Sequence, residues 1–308
     1  MSKDERIFLI GEDIGRYGGA FGVTRGLLDK FGEERVIDTP ISESSIIGVA
    51  TGASMLGYKP IVEIMFMDFI ALAMDQIVNH LAKYNFIYGG QVELSIIIRT
   101  AAGAGKSYGA THSQSLESWF LHCPGLKVVM PSSTSDAMGL LRSCIKDKKP
   151  ILFIEHKMLY DKEEKVISNY FEIPIGKANI ITEGSDITLL SYSYMVDVVK
   201  QVAKALNKEG ISSEIIDLRT ISPLDLNCIT ESVKKTGRAI VVEEGTISGG
   251  VGAEIVARIQ DSVFSSLNAP IKRVAAPDIP VPFSKKLENI YLPSVRNIVD
   301  AVMEVMDY

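Results

Sequence analysis

Two residues of this chain join proton-moving chemistry to surroundings that suit it, Glu43 and His112. Glu43 closes the run Asp38-Thr39-Pro40-Ile41-Ser42-Glu43. Proline fixes its own φ and pushes the preceding residue out of the helical region, so 38–40 reads as a rigid extended exit from a strand. The residues that follow, Ser44 to Met55, are small and apolar on nearly every side, the composition of a buried helix. Gly48, Ala50, Gly52 and Ala53 let other backbone approach it closely. Glu43 therefore stands at the mouth of a buried helix. An acid there complements the positive end of the helix dipole. It is equally a candidate acid/base, because apolar surroundings disfavour the charge of a carboxylate. The apolar strand expected at Ile61–Phe69 is interrupted by two more acids, Glu63 and Asp68.

His112 lies near the end of a polar, Gly- and Ala-rich loop, Arg99 to Ser115, behind the continuous apolar run Leu94–Ile98. Loops of that length without structure of their own are uncommon unless functional. Thr111, Ser113 and Gln114 flank the ring with hydrogen-bonding groups. Polar surface and general acid/base both fit this histidine. His80 falls on an expected helix, His122 beside Cys123-Pro124 and His156 at a strand end, and none has metal-ligand spacing. Cys123, Cys144 and Cys228 show no close pairing and read as packing. Glu12 and Asp13 follow the short strand Ile7–Ile10, at the carboxyl end where open α/β sheets bind ligands, although acids in a solvated turn fit too. The glycine-rich stretch Tyr17–Thr24 lacks both P-loop and GxGxxG spacing and reads as a turn.

The elements that position these residues alternate strand and helix. Behind the central stretch come a helix over Ile70–Tyr88 stopped by Gly89-Gly90, then strands Leu126–Met130 and Ile151–Ile154 around a helix Ser135–Ile145. Repeated strand, crossover and strand implies a parallel sheet with helices on both faces. A charged run at Asp161–Lys165 opens a connector. The second half repeats the logic: strands Ile187–Ser191, Ser213–Asp217 and Ala239–Glu243, helices Val196–Leu206, Asp225–Lys234 and Ala253–Ser262. The expectation is an α/β protein of two domains, 1–165 and 184–308, joined by 166–183. Glu243-Glu244 is the one acid pair of the second half and reads as a solvated strand end, which leaves assembly as that half's expected role.

With 308 residues, 46% hydrophobic and 23% charged, the chain is long enough for two cores. Its net charge of −6 and the absence of a basic stripe argue against a nucleic-acid surface. The apolar run Ile7–Ile10 is too short for a signal-peptide core, and no uncharged run approaches the roughly 18 residues of a spanning helix. No membrane role and a cytoplasmic location are expected.

GEDIG, RVIDTPISE, PIVEIMFMDF, ATHSQS, PGLKVVMPS, FIEHKMLY, EIIDLRTISPLD and VVEEG, in this order over almost the whole chain, resemble the beta subunit of the thiamine-diphosphate-dependent first component of 2-oxo acid and acetoin dehydrogenase complexes. The resemblance implies a pyrimidine-binding domain followed by a transketolase-type C-terminal domain. It implies that Glu43 hydrogen-bonds the cofactor's aminopyrimidine and activates it for decarboxylation, or for acetoin cleavage. Met65 and Phe69 line the pyrimidine, and His112 serves acyl transfer to lipoamide. Backbone carbonyls of Ile96, Cys144, Asp147 and Lys149 align with those holding a structural potassium ion. The chain lacks the GDG that binds diphosphate and Mg²⁺ in thiamine-diphosphate enzymes. The resemblance assigns that half of the site to an alpha subunit, in an α2β2 heterotetramer served by a lipoyl-bearing acyltransferase. It leaves pyruvate, a branched-chain 2-oxo acid and acetoin open as substrates, with PIVEIMFMDF and MLY nearest the acetoin type. Two departures are visible: the chain starts almost at its first strand, and AAGAGKSYGA is an unusual version of the loop before His112. A transketolase-like carbon–carbon-forming subunit without a lipoyl partner and a non-catalytic scaffold are the alternatives, the latter opposed by intact Glu43, Met65, Phe69 and His112.

Overall fold

The computed structural model describes residues 1–165 and 171–308. Residues 166–170 of the expected connector lie outside the described residues.

Strands β1 (Ile7–Gly11), β2 (Val36–Asp38), β3 (Lys59–Phe66), β4 (Ile97–Ala102), β5 (Lys127–Val129) and β6 (Ile151–His156) form a parallel sheet. Strands β7 (Asn179–Thr182), β8 (Ile187–Ser191), β9 (Ser213–Asp217), β10 (Thr220–Ser222), β11 (Ala239–Thr246) and β12 (Lys272–Ala276) follow. The first sheet runs β10-β5-β6-β4-β3-β1-β2 and the second β12-β11-β8-β9-β7. All pairings are parallel except β10 with β5 and β7 with β9, each at a sheet edge. β7 lies within the span expected as connector, and β10 leaves the second half of the chain to close the first sheet.

Helices cover both faces because the strands are apolar on both faces. On β8, β9 and β11, Leu189, Ile215 and Ile240 point to one side, against the helices Met195–Leu206 and Val295–Met306. Their neighbours Leu190, Ile216 and Val241 point to the other, against Leu226–Thr236 and Val251–Val263. That second side merges with the first domain's core, in which Ile47, Ile77 and Phe120 are fully buried. One continuous apolar cluster therefore joins the two sheets.

Several expected elements have other bounds, and two of them bear on the site. β4 does not end at Ile98 but runs to Ala102, because Arg99 is buried against carboxylates on the strands either side of it. The helix expected at Ile70–Tyr88 is broken into a 3-10 segment Met67–Ala73, a π segment Gln76–Leu81 and an α segment Ala82–Ile87. Among the described residues no helix is long and apolar enough to cross a membrane.

Candidate active site

Parallel strands bring their carboxyl ends to one edge of the sheet, and the candidate residues gather there. Glu43 opens the helix Glu43–Met55 that follows β2, the acid of its first turn. It is buried, only 8% exposed, and its carboxylate has no hydrogen-bond or ion-pair partner among the described residues. The extended exit before it is pinned where Gly15 N–H donates to Asp38 Oδ1 at 2.6 Å. Glu12, at the end of β1, comes close enough to feel this carboxylate. Burial first, then Asp13 and Glu43, hold the Glu12 carboxyl above the usual range. The turn acid of the sequence thus becomes Glu43's neighbour.

β3 ends at Phe66 rather than running on to Phe69. The 3-10 segment that starts at Met67 carries Phe69 back beside the histidine loop. The His112 ring sits edge-on to both Phe66 and Phe69, with centroids 5.2 Å away in each case. Thr111 Oγ1 lies 3.1 Å from His112 Nδ1. Asp68 Oδ1 accepts from Gln114 main-chain N–H at 3.1 Å and Gln114 Nε2 at 2.9 Å, which holds the far end of the loop. The other Asp68 oxygen, Oδ2, is buried without a partner. Met65 is half-buried near the end of β3. Phe69 and His112 are therefore brought together, with Phe66 as a third ring that spacing alone had not singled out.

Glu63 serves a different purpose. Arg99 donates to Glu63 Oε2 at 2.7 Å and to Glu155 Oε2 at 2.5 Å, while Tyr160 hydroxyl donates to Glu155 at 2.7 Å. Burial alone would push the guanidinium down, but Glu155 and Glu63 more than offset it and raise it. This is an ion network inside the sheet.

The reading of Glu243-Glu244 as a solvated strand end is corrected. Both side chains are buried, at 0% and 5% exposure. Glu243 accepts from Arg273 Nη2 at 2.6 Å and Gly252 N–H at 2.9 Å. Glu244 reaches the first domain, accepting from Ala104 N–H at 2.6 Å and from Ser115 Oγ at 3.2 Å. It also meets His156 Nε2 at 2.7 Å. Because His156 Nδ1 accepts from Met158 N–H, the ring hydrogen lies on Nε2 and points at Glu244. Burial works against this carboxylate, but His156 and the N–H and O–H donors around it hold it below the usual range. The partners of Glu244 are more than 80 residues away in sequence, which made its role invisible to local pattern.

Ile96, Cys144, Asp147 and Lys149 lie toward the opposite end of the sheet, ahead of β4 and β6. Ile96 O accepts from Ile151 N–H at 3.0 Å, Cys144 O from Asp147 N–H at 3.1 Å, and Asp147 O from Ser95 Oγ at 2.9 Å. Lys149 N–H donates to Asp147 Oδ1 at 2.9 Å. Among the described residues no group of three or more His, Cys, Asp or Glu side chains is arranged to hold a metal ion.

Residues 1–162 match the family model described as transketolase, pyrimidine binding domain, and residues 176–298 the one described as transketolase, C-terminal domain. The pyruvate dehydrogenase E1 component subunit beta-2, mitochondrial, of Oryza sativa is 44% identical over 98% of this chain and 81% of its own length. The beta subunit of acetoin:2,6-dichlorophenolindophenol oxidoreductase of Cupriavidus necator is 43% identical, over 99% of this chain and 93% of its own. The pyruvate dehydrogenase E1 component subunit beta of Rickettsia bellii is also 43% identical, over 99% and 94%. A solved split gene transketolase, described as an inactive beta4 tetramer, superposes with a TM-score of 0.81 over 99% of this chain and 93% of its own at 22% identity, a likeness of fold.

Proposed function

Given that the chain belongs to the transketolase-like family of pyruvate and acetoin dehydrogenase beta subunits, we propose that it is the proton-handling half of a thiamine-diphosphate-dependent dehydrogenase acting on a 2-oxo acid or acetoin. The observation that carries this reading is Glu43, a residue only 8% exposed whose carboxylate has no hydrogen-bond or ion-pair partner among the described residues, at the sheet edge where ligands bind. A carboxylate on a nearly enclosed residue, without a partner of its own, is open to a hydrogen-bond donor from outside the chain. The residues fit a flat nitrogen-bearing ring: Glu43 to hydrogen-bond a ring nitrogen, half-buried Met65 and Phe69 to pack against it, and the buried, unpartnered Asp68 Oδ2 nearby. Thiamine diphosphate, when bound, supplies the carbanion-stabilising chemistry that a 2-oxo acid requires.

The chain's own tasks are then distinct. Glu43 holds and returns a proton at the ring nitrogen. Met65, Phe66 and Phe69 exclude water from one side. His112, wedged between two phenyl rings, holds a proton beside the position from which an acyl group leaves for lipoamide. Diphosphate and Mg²⁺ fall to an alpha subunit, since no GDG is present here. That makes the active form an α2β2 assembly serving a lipoyl-bearing acyltransferase. The carbonyls of Ile96, Cys144, Asp147 and Lys149 are taken as the cradle of a structural potassium ion.

The test is reduction of an artificial acceptor by this chain mixed with its alpha subunit, Mg²⁺ and thiamine diphosphate. Pyruvate, a branched-chain 2-oxo acid and acetoin are compared. Turnover that needs both chains establishes the activity and names the substrate. A stable α/β complex that binds cofactor yet turns over none of the three would overturn it.

A further inference from the structure

The loop that carries His112 is conformationally expensive. Gly103, Gly105 and Gly109 have φ of +89°, +106° and +78°, and Ser107, which is not glycine, has +60°. Such a path persists only where its surroundings over-determine it. The surroundings are three buried charges. Glu288, 0% exposed on the helix Lys285–Tyr291, accepts from Gly105 N–H at 2.8 Å, Ser107 N–H at 3.0 Å and Ser107 Oγ at 3.2 Å. Glu244 on β11 takes Ala104 N–H and Ser115 Oγ, one near each end of the loop. Lys157, 1% exposed just after β6, donates from Nζ to the main-chain oxygen of His112 itself. Its ammonium lies 5.2 Å from the Phe66 ring centroid and 5.6 Å from that of Tyr108.

We propose that Lys157, Glu244 and Glu288 are positioning residues that fix the His112 loop for acyl transfer, so that the second domain helps decide where the histidine stands. The proposal rests on the reading of His112 given above. Its logic is reciprocal. A buried carboxylate is tolerated only when hydrogen-bonded, and among the described residues the donors to Glu288, apart from Lys285 at 3.4 Å, are loop groups. The loop's buried N–H groups in turn have these carboxylates as acceptors. Neither side is stable in place without the other. The ammonium of Lys157 answers Asp68, Glu244 and Glu288 at once, and burial pushes it down to about 8 against their pull. The loop is thus gripped at its first turn by Glu244 and Glu288, and at the histidine by Lys157.

The experiment uses the complex with the alpha subunit. Glu288→Gln and Lys157→Met are compared with wild type for kcat and KM, with a lipoyl domain and with an artificial acceptor. Hydrogen exchange of the Ala104, Gly105 and Ser107 amides is followed in the same samples. We expect lipoyl-dependent kcat to fall about tenfold further than the artificial-acceptor rate, and those amides to exchange about tenfold faster in Glu288→Gln. Lys157→Arg, which keeps a donor, recovers most of the lipoyl-dependent rate. Parallel loss with both acceptors, no loss with either, or unchanged exchange overturns the proposal. Should Glu288→Gln fail to fold, Lys157→Met with its Arg rescue decides alone. A wild-type complex inactive on every substrate retires the reaction itself, while exchange still reports whether the carboxylates hold the loop.

Discussion

Tyr192 reaches across the boundary between the sheets and donates its hydroxyl hydrogen to Glu117 Oε1 at 2.9 Å, while Glu117 Oε2 is buried with no partner. Burial, opposed by the Tyr192 bond and reinforced by Glu244 and Glu243, pushes the Glu117 carboxyl up to about 7. The folded state therefore holds a proton that the unfolded chain releases near the usual carboxylate value. Its contribution to stability is complete below about pH 4.5 and is lost as pH rises through about 7. Glu117→Gln should flatten the dependence of Tm on pH across that window, and above it should be more stable than wild type by at most about 3 kcal/mol. Asp217, pushed up to about 7 by burial and Asp136, slopes the same way in both proteins, so the difference between them isolates Glu117. A variant whose profile keeps the wild-type slope would refute this.

Arg99 is shared by Glu63 and Glu155 in the middle of the first sheet. Arg99→Met removes a buried guanidinium and leaves two half-buried carboxylates facing each other, which should cost about 3 kcal/mol. Urea denaturation reads it directly. A loss below about 1 kcal/mol would mean that water reaches the pair.

Glu43→Gln keeps shape and removes the exchangeable carboxyl proton. With the alpha subunit present, kcat should drop about 10²- to 10⁴-fold, the range for a positioned acid/base, with Tm of the chain within about 1 kcal/mol equivalent of wild type. Retention of most activity would move proton handling to another group, with Glu12 the first to examine.

Gly103 and Gly57 both have φ near +89°, but only one is enclosed. A Cβ on Gly103 would lie 1.8 Å from His156 Nε2, whereas one on Gly57 meets nothing within 4 Å. Gly57→Ala should cost about 1 kcal/mol, the conformational part alone. Gly103→Ala must also displace the ring that bonds Glu244, so its loss should be several-fold larger in thermal melts, with His112-dependent transfer lost too. Equal losses at the two sites would show that the histidine simply swings away.

The alternation of strand and helix was legible because its signals are local: Pro40, the glycine pairs, and apolar runs that end where β8 and β9 end. Glu43 and His112 could be picked out for the same reason, each being a polar group beside a strongly apolar or glycine-rich run. Glu244 and Glu288 could not, since an acid at a strand end or on a short helix is ordinary surface until the other domain closes over it. Lys157 was hidden in the same way, because a lysine after a strand gives no sign that its ammonium will be buried beside the Phe66 and Tyr108 rings. Arg99 carried a usable signal: an arginine directly after an apolar parallel run, with Glu63 opposite it on β3 and Glu155 two residues further along on β6, argues for a strand that continues.

The short β10 has a consequence for how the chain comes apart. It belongs to the second half of the sequence, between β9 and the helix Leu226–Thr236, yet its hydrogen-bonding neighbour is β5 of the first sheet. Cutting the chain at its connector does not yield two self-sufficient pieces: the amino-terminal piece loses its outermost strand and bares the polar edge of β5, an invitation to self-association. The division of the sequence into two domains and the division into cooperative units are different lines on this molecule, and a single melting transition, rather than two, is the form its unfolding should take.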